Sequence, residues 1–187
     1  HESDAIAAYM ELTRISVALG SIRTRDPLLS GDNPLFFGNE TPFEWSELLA
    51  ATPDGRVITG SYDKTIKVWR DGACERTIQA HQWFVNAVAV LPGGARFVSV
   101  SDDGTAKLWT LDGALERTFE LGYSVICVAA LPDGVHFVVG TGGYMEANEV
   151  RLYHIDGTLV HTFFLNPNRP SSVYAVAVTP DGQHIIS

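Results

Sequence analysis

Cysteine is scarce in this sequence. Only Cys74 and Cys127 occur, with no CxxC pair and no Cys/His cluster, so neither a disulfide framework nor a finger-type zinc site is indicated. A reducing intracellular compartment follows, with the cytoplasm expected and an organelle entered after loss of a targeting peptide as the alternative. The chain opens on His1 with no signal-peptide pattern, which leads us to expect that something upstream was removed or lies outside this sequence. Long apolar runs are missing too: none approaches the roughly 18 residues that span a bilayer, so no membrane insertion is expected. Positive charge is the third shortage. Lys and Arg number 13 against 22 for Asp and Glu, and the formal charge of -9 repels phosphate backbones, so nucleic acid is not an expected partner. His136, His154, His161 and His184 are scattered without metal-ligand spacing. With no phosphate loop and no G-x-S-x-G elbow either, we expect no metal, no cofactor and no catalytic residues.

What the sequence does have is repetition. ATPDGRVITGSYDKTIKVWRDGACERTIQ, VLPGGARFVSVSDDGTAKLWTLDGALERTFE and ALPDGVHFVVGTGGYMEANEVRLYHIDGTLVHTFF align end to end, and VTPDGQHIIS begins a fourth copy. The turn prolines Pro53, Pro92, Pro132 and Pro180 step by 39, 40 and 48 residues, and the aromatic positions Trp69, Trp109 and Tyr153 step by 40 and 44. Within each copy, short β-branched and aromatic runs alternate with Pro, Gly and Asp turns, the grammar of antiparallel hairpins. Four strands per copy make a small twisted sheet of about 40 residues, which cannot bury both its faces alone and must stack on its neighbours.

From Trp45 to Ser187 the chain resembles the WD-repeat β-propeller family, with three full repeats and the start of a fourth. The resemblance implies an all-β segment of about three and a half four-stranded antiparallel blades, at 45–80, 81–121, 122–165 and, incomplete, 166–187. It also implies a buried chain of His, Ser or Thr, Asp and Trp within a blade. The second copy offers His81, Ser99, Asp103 and Trp109; the first offers Thr59, Asp63 and Trp69 without a His; the third has Tyr153 and no assignable Asp. The eponymous Trp-Asp pair is absent, since Arg70 follows Trp69 and Thr110 follows Trp109. A Ser, His and Asp together suggest a catalytic triad, but a mid-strand Ser without an elbow or oxyanion hole points to a structural role.

The family resemblance further places partner-binding positions at the entry to each first strand and just before the Asp. These are Trp45, Glu47 and Tyr62; Phe84, Asn86 and Asp102; Ser124 and Ile126; and Ser172 and Tyr174, and Trp83, close to His81 and outside those family positions, is expected to join them. Partners are expected to be proteins or peptides, and remaining blades or another subunit are expected to cover the open arc. Ahead of the repeats, residues 1–22 read as an N-terminal helix, capped by Ser3 or Asp4, with Leu12, Ile15, Leu19 and Ile22 as its stripe. Residues 23–44, with three prolines and Phe36, Phe37 and Phe43, read as an extended arm. The leading functional expectation is a non-catalytic interaction scaffold. A structural subunit built into a large assembly through its arm is the alternative, and part of a propeller-borne enzyme is the reading with least support.

Overall fold

The structure is a computed structural model that describes residues 22–23, 46–142, 149–165 and 172–187. The first sheet holds β1 (Ile22–Arg23), β2 (Ser46–Ala51), β3 (Val57–Ser61), β4 (Thr65–Arg70) and β5 (Ala73–Gln79), in that spatial order. The second holds β6 (Val85–Val90), β7 (Arg96–Ser101), β8 (Thr105–Thr110) and β9 (Leu115–Glu120). The third holds β10 (Val125–Ala130), β11 (His136–Thr141), β12 (Glu149–His154) and β13 (Leu159–Phe164), and a fourth begins with β14 (Ala177–Val178) and β15 (Ile185–Ile186). Sequence neighbours pair antiparallel throughout these sheets. No helix is present among the described residues. Among the described residues the architecture is all-β, and the four consecutive antiparallel strands β2–β5, β6–β9 and β10–β13 are of the kind that make propeller blades.

The helix expected over 1–22 and the arm over 23–44 lie almost wholly outside the described residues. Their junction differs from expectation: Ile22, the last member of the helical stripe, sits in β1, where it pairs with Leu49 while Arg23 pairs with Leu48. The backbone groups of an edge strand accept any extended segment, and a β-branched residue followed by Arg meets that need.

Sheets stack through their apolar faces. Val85, Val88, Phe97, Val98 and Val100 of the second sheet share one buried cluster with Ile58, Ile66 and Val68 of the first and Val125, Val128 and Phe137 of the third. Cys127, Val138 and Val150 cluster with Val173 and Val176, which lead into the fourth sheet. One close approach requires glycine: a Cβ at Gly60 would lie 2.7 Å from Cγ1 of Val85, so β3 can lie against β6 only without a side chain there. The outer strands interlock as well. Phe119 of β9 meets Phe137 and Tyr153 of the next sheet edge-on, at centroid distances of 5.0 and 5.5 Å.

Strands β2, β6 and β10 carry the same irregularity. The register slips by one residue between Ser46 and Leu48, between Val85 and Ala87, and between Val125 and Cys127. The extra residues are Glu47, Asn86 and Ile126, three of the positions expected to meet partners. A bulge re-aims the side chain that it adds.

Candidate functional site

In the second sheet, β7 and β8 pair Ser99 opposite Lys107 and Phe97 opposite Trp109, which brings Ser99 under the indole. Trp109 Nε1 donates to Ser99 Oγ at 2.8 Å, and His81 Nε2 lies 2.7 Å from the same oxygen. His81 Nδ1 lies 2.9 Å from Asp103 Oδ2. The proton positions follow from chemistry. Burial works against the Asp103 carboxylate, but hydrogen bonds from Thr105, the Gln82 amide and His81 hold it below the usual carboxylate range, so it only accepts. Burial pushes His81 below the ordinary imidazole value, outweighing the attraction of Asp103, so the ring is neutral. A neutral ring that donates from Nδ1 must accept at Nε2, so Ser99 donates to His81 while accepting from Trp109. Ser99 is 0% exposed, and both polar functions of its hydroxyl are engaged.

The first sheet holds a shorter version. Trp69 Nε1 donates to Thr59 Oγ1 at 3.0 Å, while Asp63 Oδ1 accepts from the Thr65 amide and hydroxyl at 2.8 and 2.7 Å. The third sheet replaces the arrangement. Val139 faces Arg151 as Ser99 faces Lys107, and Gly122 shares with His81 the amide bond to the preceding turn. Arg151 Nε donates to Glu149 Oε2 at 2.7 Å and Nη1 donates to Leu121 O at 3.2 Å, where Lys107 Nζ reaches Ala80 O at 2.6 Å. Burial disfavours the Arg151 charge, yet bonds to Glu149 and Tyr153 raise its pKa above the usual value. Glu149 and Arg151 were not anticipated from the sequence. The signal was present in the basic residue two places before each aromatic: Lys67 and Trp69, Lys107 and Trp109, Arg151 and Tyr153.

The loops at this end of the sheets hold the expected partner-binding positions. Trp45 and the side chain of Glu47 lie outside the described residues. Tyr62 and Phe84 stack across the first and second sheets at 4.7 Å with planes 24° apart, and Trp83 lies 5.5 Å from Phe84 at 35°. Trp83 is 51% exposed, with Lys64 Nζ 5.1 Å from its ring centroid. Lys64 adopts φ 74°, in the place that Gly104 occupies with φ 80° in the second copy, and its ammonium reaches the indole from that left-handed turn. Tyr174, before β14, is 64% exposed, while Ser172 is half-buried.

Asn86, Asp102 and Ser124 are brought together with one another. Asn86 Nδ2 donates to Asp102 Oδ1 at 2.6 Å and to Val125 O at 3.0 Å, and Ser124 Oγ donates to the same Asp102 oxygen. The bulge at Asn86 aims its amide across the gap, and the three residues tie the second sheet to the third. Ile126, at the next bulge, is half-buried against the chain at Gly142, where a Cβ would come within 2.4 Å of Ile126 Cδ1. Among the expected partner-binding positions, exposed aromatic surface is thus concentrated at Trp83 and Tyr174, and Asn86, Asp102 and Ser124 are occupied by contacts within the fold. Among the described residues no three His, Cys, Asp or Glu side chains come together as a metal set, and no helix is long and apolar enough to cross a membrane.

Comparison with known proteins follows the same repeats. Residues 49–70 and 72–110 match the family model described as WD domain, G-beta repeat. The chain is 33% identical over 113 residues to apoptotic protease-activating factor 1 of Rattus norvegicus, covering 58% of this chain and 9% of that protein. It is 42% identical over 103 residues to nuclear distribution protein nudF 1 of Talaromyces marneffei, covering 50% of this chain and 22% of that protein. It is 30% identical over 107 residues to small ribosomal subunit protein RACK1y of Oryza sativa subsp. japonica, covering 56% of this chain and 30% of that protein. The chain therefore spans less than a third of the length of each of these relatives.

Proposed function

We propose, from repeats that match the WD-repeat family, that this chain is a non-catalytic scaffold that binds peptides or protein surfaces through its loop face. The observation that carries the reading is Trp83. An indole half exposed, backed by Phe84 stacked on Tyr62, presents rigid apolar area with few rotors to freeze, the property of residues that anchor interfaces. Tyr174 adds a second exposed anchor on the same series of loops.

The Ser, His and Asp of the second sheet have a structural part in this reading. A nucleophilic serine must reach substrate, whereas Ser99 is sealed under Trp109 with its hydroxyl proton directed to His81. The role of the chain is to hold β8 and the loop before β6 in one position, so that Trp83 and Phe84 are presented from a rigid base.

The test is selection of a displayed random peptide library on the 187-residue chain, followed by titration of the enriched peptides by fluorescence anisotropy. Trp83→Ala and Tyr174→Ala are expected to weaken binding at least tenfold, about 1.4 kcal/mol or more. Arg56→Gln and Arg96→Gln, at the opposite turns, should leave it unchanged. Enriched peptides whose affinity is indifferent to both aromatic substitutions would overturn this assignment of the binding face.

A further inference from the structure

The outer edge of the third sheet differs from the two before it. Register places Cys74, Glu75, Arg76, Thr77, Ile78 and Gln79 of β5 at the same positions as Leu115, Glu116, Arg117, Thr118, Phe119 and Glu120 of β9. On β13 these positions hold Leu159, Val160, His161, Thr162, Phe163 and Phe164. Two of the six side chains of β5 and three of those of β9 carry full charge; on β13 each charged position holds Val, His or Phe.

The difference reaches the neighbouring strands. Glu75 pairs with Arg56 at 3.3 Å and Arg70 at 3.4 Å, and Glu116 lies 3.8 Å from Arg96. Beside Val160 the corresponding residues are His136 and His154, whose rings lie 4.9 Å apart and which pair with Asp133 and Asp156 instead. Exposure follows: Val160 is 47% and Phe164 76% exposed.

Stacking a further sheet does not cover this edge. The first and second sheets are each followed by another, and Glu75, Gln79, Glu116 and Glu120 are nonetheless exposed. Phe163 is a separate case, because its equivalents Ile78 and Phe119 are buried. Sheets protect their outer strands from edge pairing by charge, and β5 and β9 carry that protection while β13 does not.

We propose that β13 is a self-association edge, through which two copies of this chain pair antiparallel about a two-fold axis. The choice of a second copy rests on charge. Docking β13 on the β5 or β9 edge would set its apolar side chains against Glu and Arg and strip water from those charges, whereas β13 against β13 desolvates none. A two-fold pairing also lets one strand supply both halves of the contact, so Phe164 and Val160 are covered in each copy at once. The segment beyond the register slip at Leu152 and Tyr153, His161 to Phe164, is regular and supplies the pairing ladder.

Sedimentation equilibrium on the 187-residue chain tests this, together with the double variant V160E/F164E. The two substitutions install the residues that β9 carries at those positions, so the sheet should fold as its neighbour does. The parent is expected to be a monomer–dimer system and the variant a monomer, with association weakened by roughly a hundredfold or more as carboxylates meet across the edge. The thermal midpoint of the variant, read at a concentration where the parent is monomeric, should be unchanged. Hydrogen exchange at Leu159 to Phe164 should slow as parent concentration rises, and not in the variant. A parent that stays monomeric up to about 100 μM, a dimer that persists in the variant, or exchange in β13 indifferent to concentration would each overturn the proposal.

Discussion

Replacing Ser99 by Ala removes one oxygen and leaves two polar groups without partners. The Trp109 N–H loses its acceptor and His81 Nε2 loses its donor, in a site where Ser99 and its partners are buried. Each orphaned group costs about 1 to 3 kcal/mol, so Ser99→Ala is expected to destabilise by about 2 to 6 kcal/mol, although the volume change is small. Trp109→Phe removes the donor in advance. In that background Ser99→Ala orphans only the imidazole and should cost about 1 to 3 kcal/mol, so the pair couples by a similar amount. Urea unfolding of the parent, both single variants and the double variant, followed by circular dichroism, yields the cycle. Equal costs of Ser99→Ala in the two backgrounds, within about 0.5 kcal/mol, would refute the claim that the indole bond to Ser99 supports the sheet.

Acid should weaken the second sheet through His81. Its folded pKa lies below the unfolded value of 6.5, so the unfolded chain binds the extra proton first; the contribution is complete above that value and lost as pH falls from 6.5 towards the folded pKa. The urea midpoint should drop over that interval, and by less in His81→Asn. Phe119→Ala should cost about 3 to 5 kcal/mol, as expected for a buried ring, whereas Phe163→Ala, at the same position of a strand where it is 38% exposed, should cost under about half of that in thermal or urea unfolding. Gly60→Ala should destabilise by about 1 to 3 kcal/mol, because its Cβ would press on Val85, which denaturation midpoints will show.

The sheets were legible in the sequence because their signals are local and repeated. Pro, Gly and Asp turns at a period near 40 residues, separated by runs such as RFVSVS and TAKLWT, leave little besides consecutive hairpins. The bulges were not legible, since a slip of one residue in β6 or β10 depends on which carbonyl pairs with which amide and leaves the apolar pattern unchanged. This is why Asn86, Asp102 and Ser124, chosen as separate contacts for a partner, are satisfied by one another. The resemblance indicated the positions, and the backbone register decided where their side chains point.

The third sheet shows what the buried polar chain supplies. It keeps the strand order and the aromatic at Tyr153 while Val139 and Gly122 stand where Ser99 and His81 would, so the fold of a sheet does not require the chain. Losing both partners together is cheap, because nothing polar is left orphaned; losing one is not. Here the loop is fastened by the Arg151 guanidinium, held by Glu149 and reaching Leu121 O, the carbonyl equivalent to Ala80 O, which Lys107 restrains in the second sheet. What the two sheets share is therefore a long basic side chain that ties the loop to the third strand, and what distinguishes the second is the addition of His81 in the loop that leads to Trp83. The imidazole fixes the loop two residues before the exposed indole is reached, so the buried chain occurs in the sheet that presents Trp83 and is replaced in the sheet whose loop presents Tyr123 beneath Arg151.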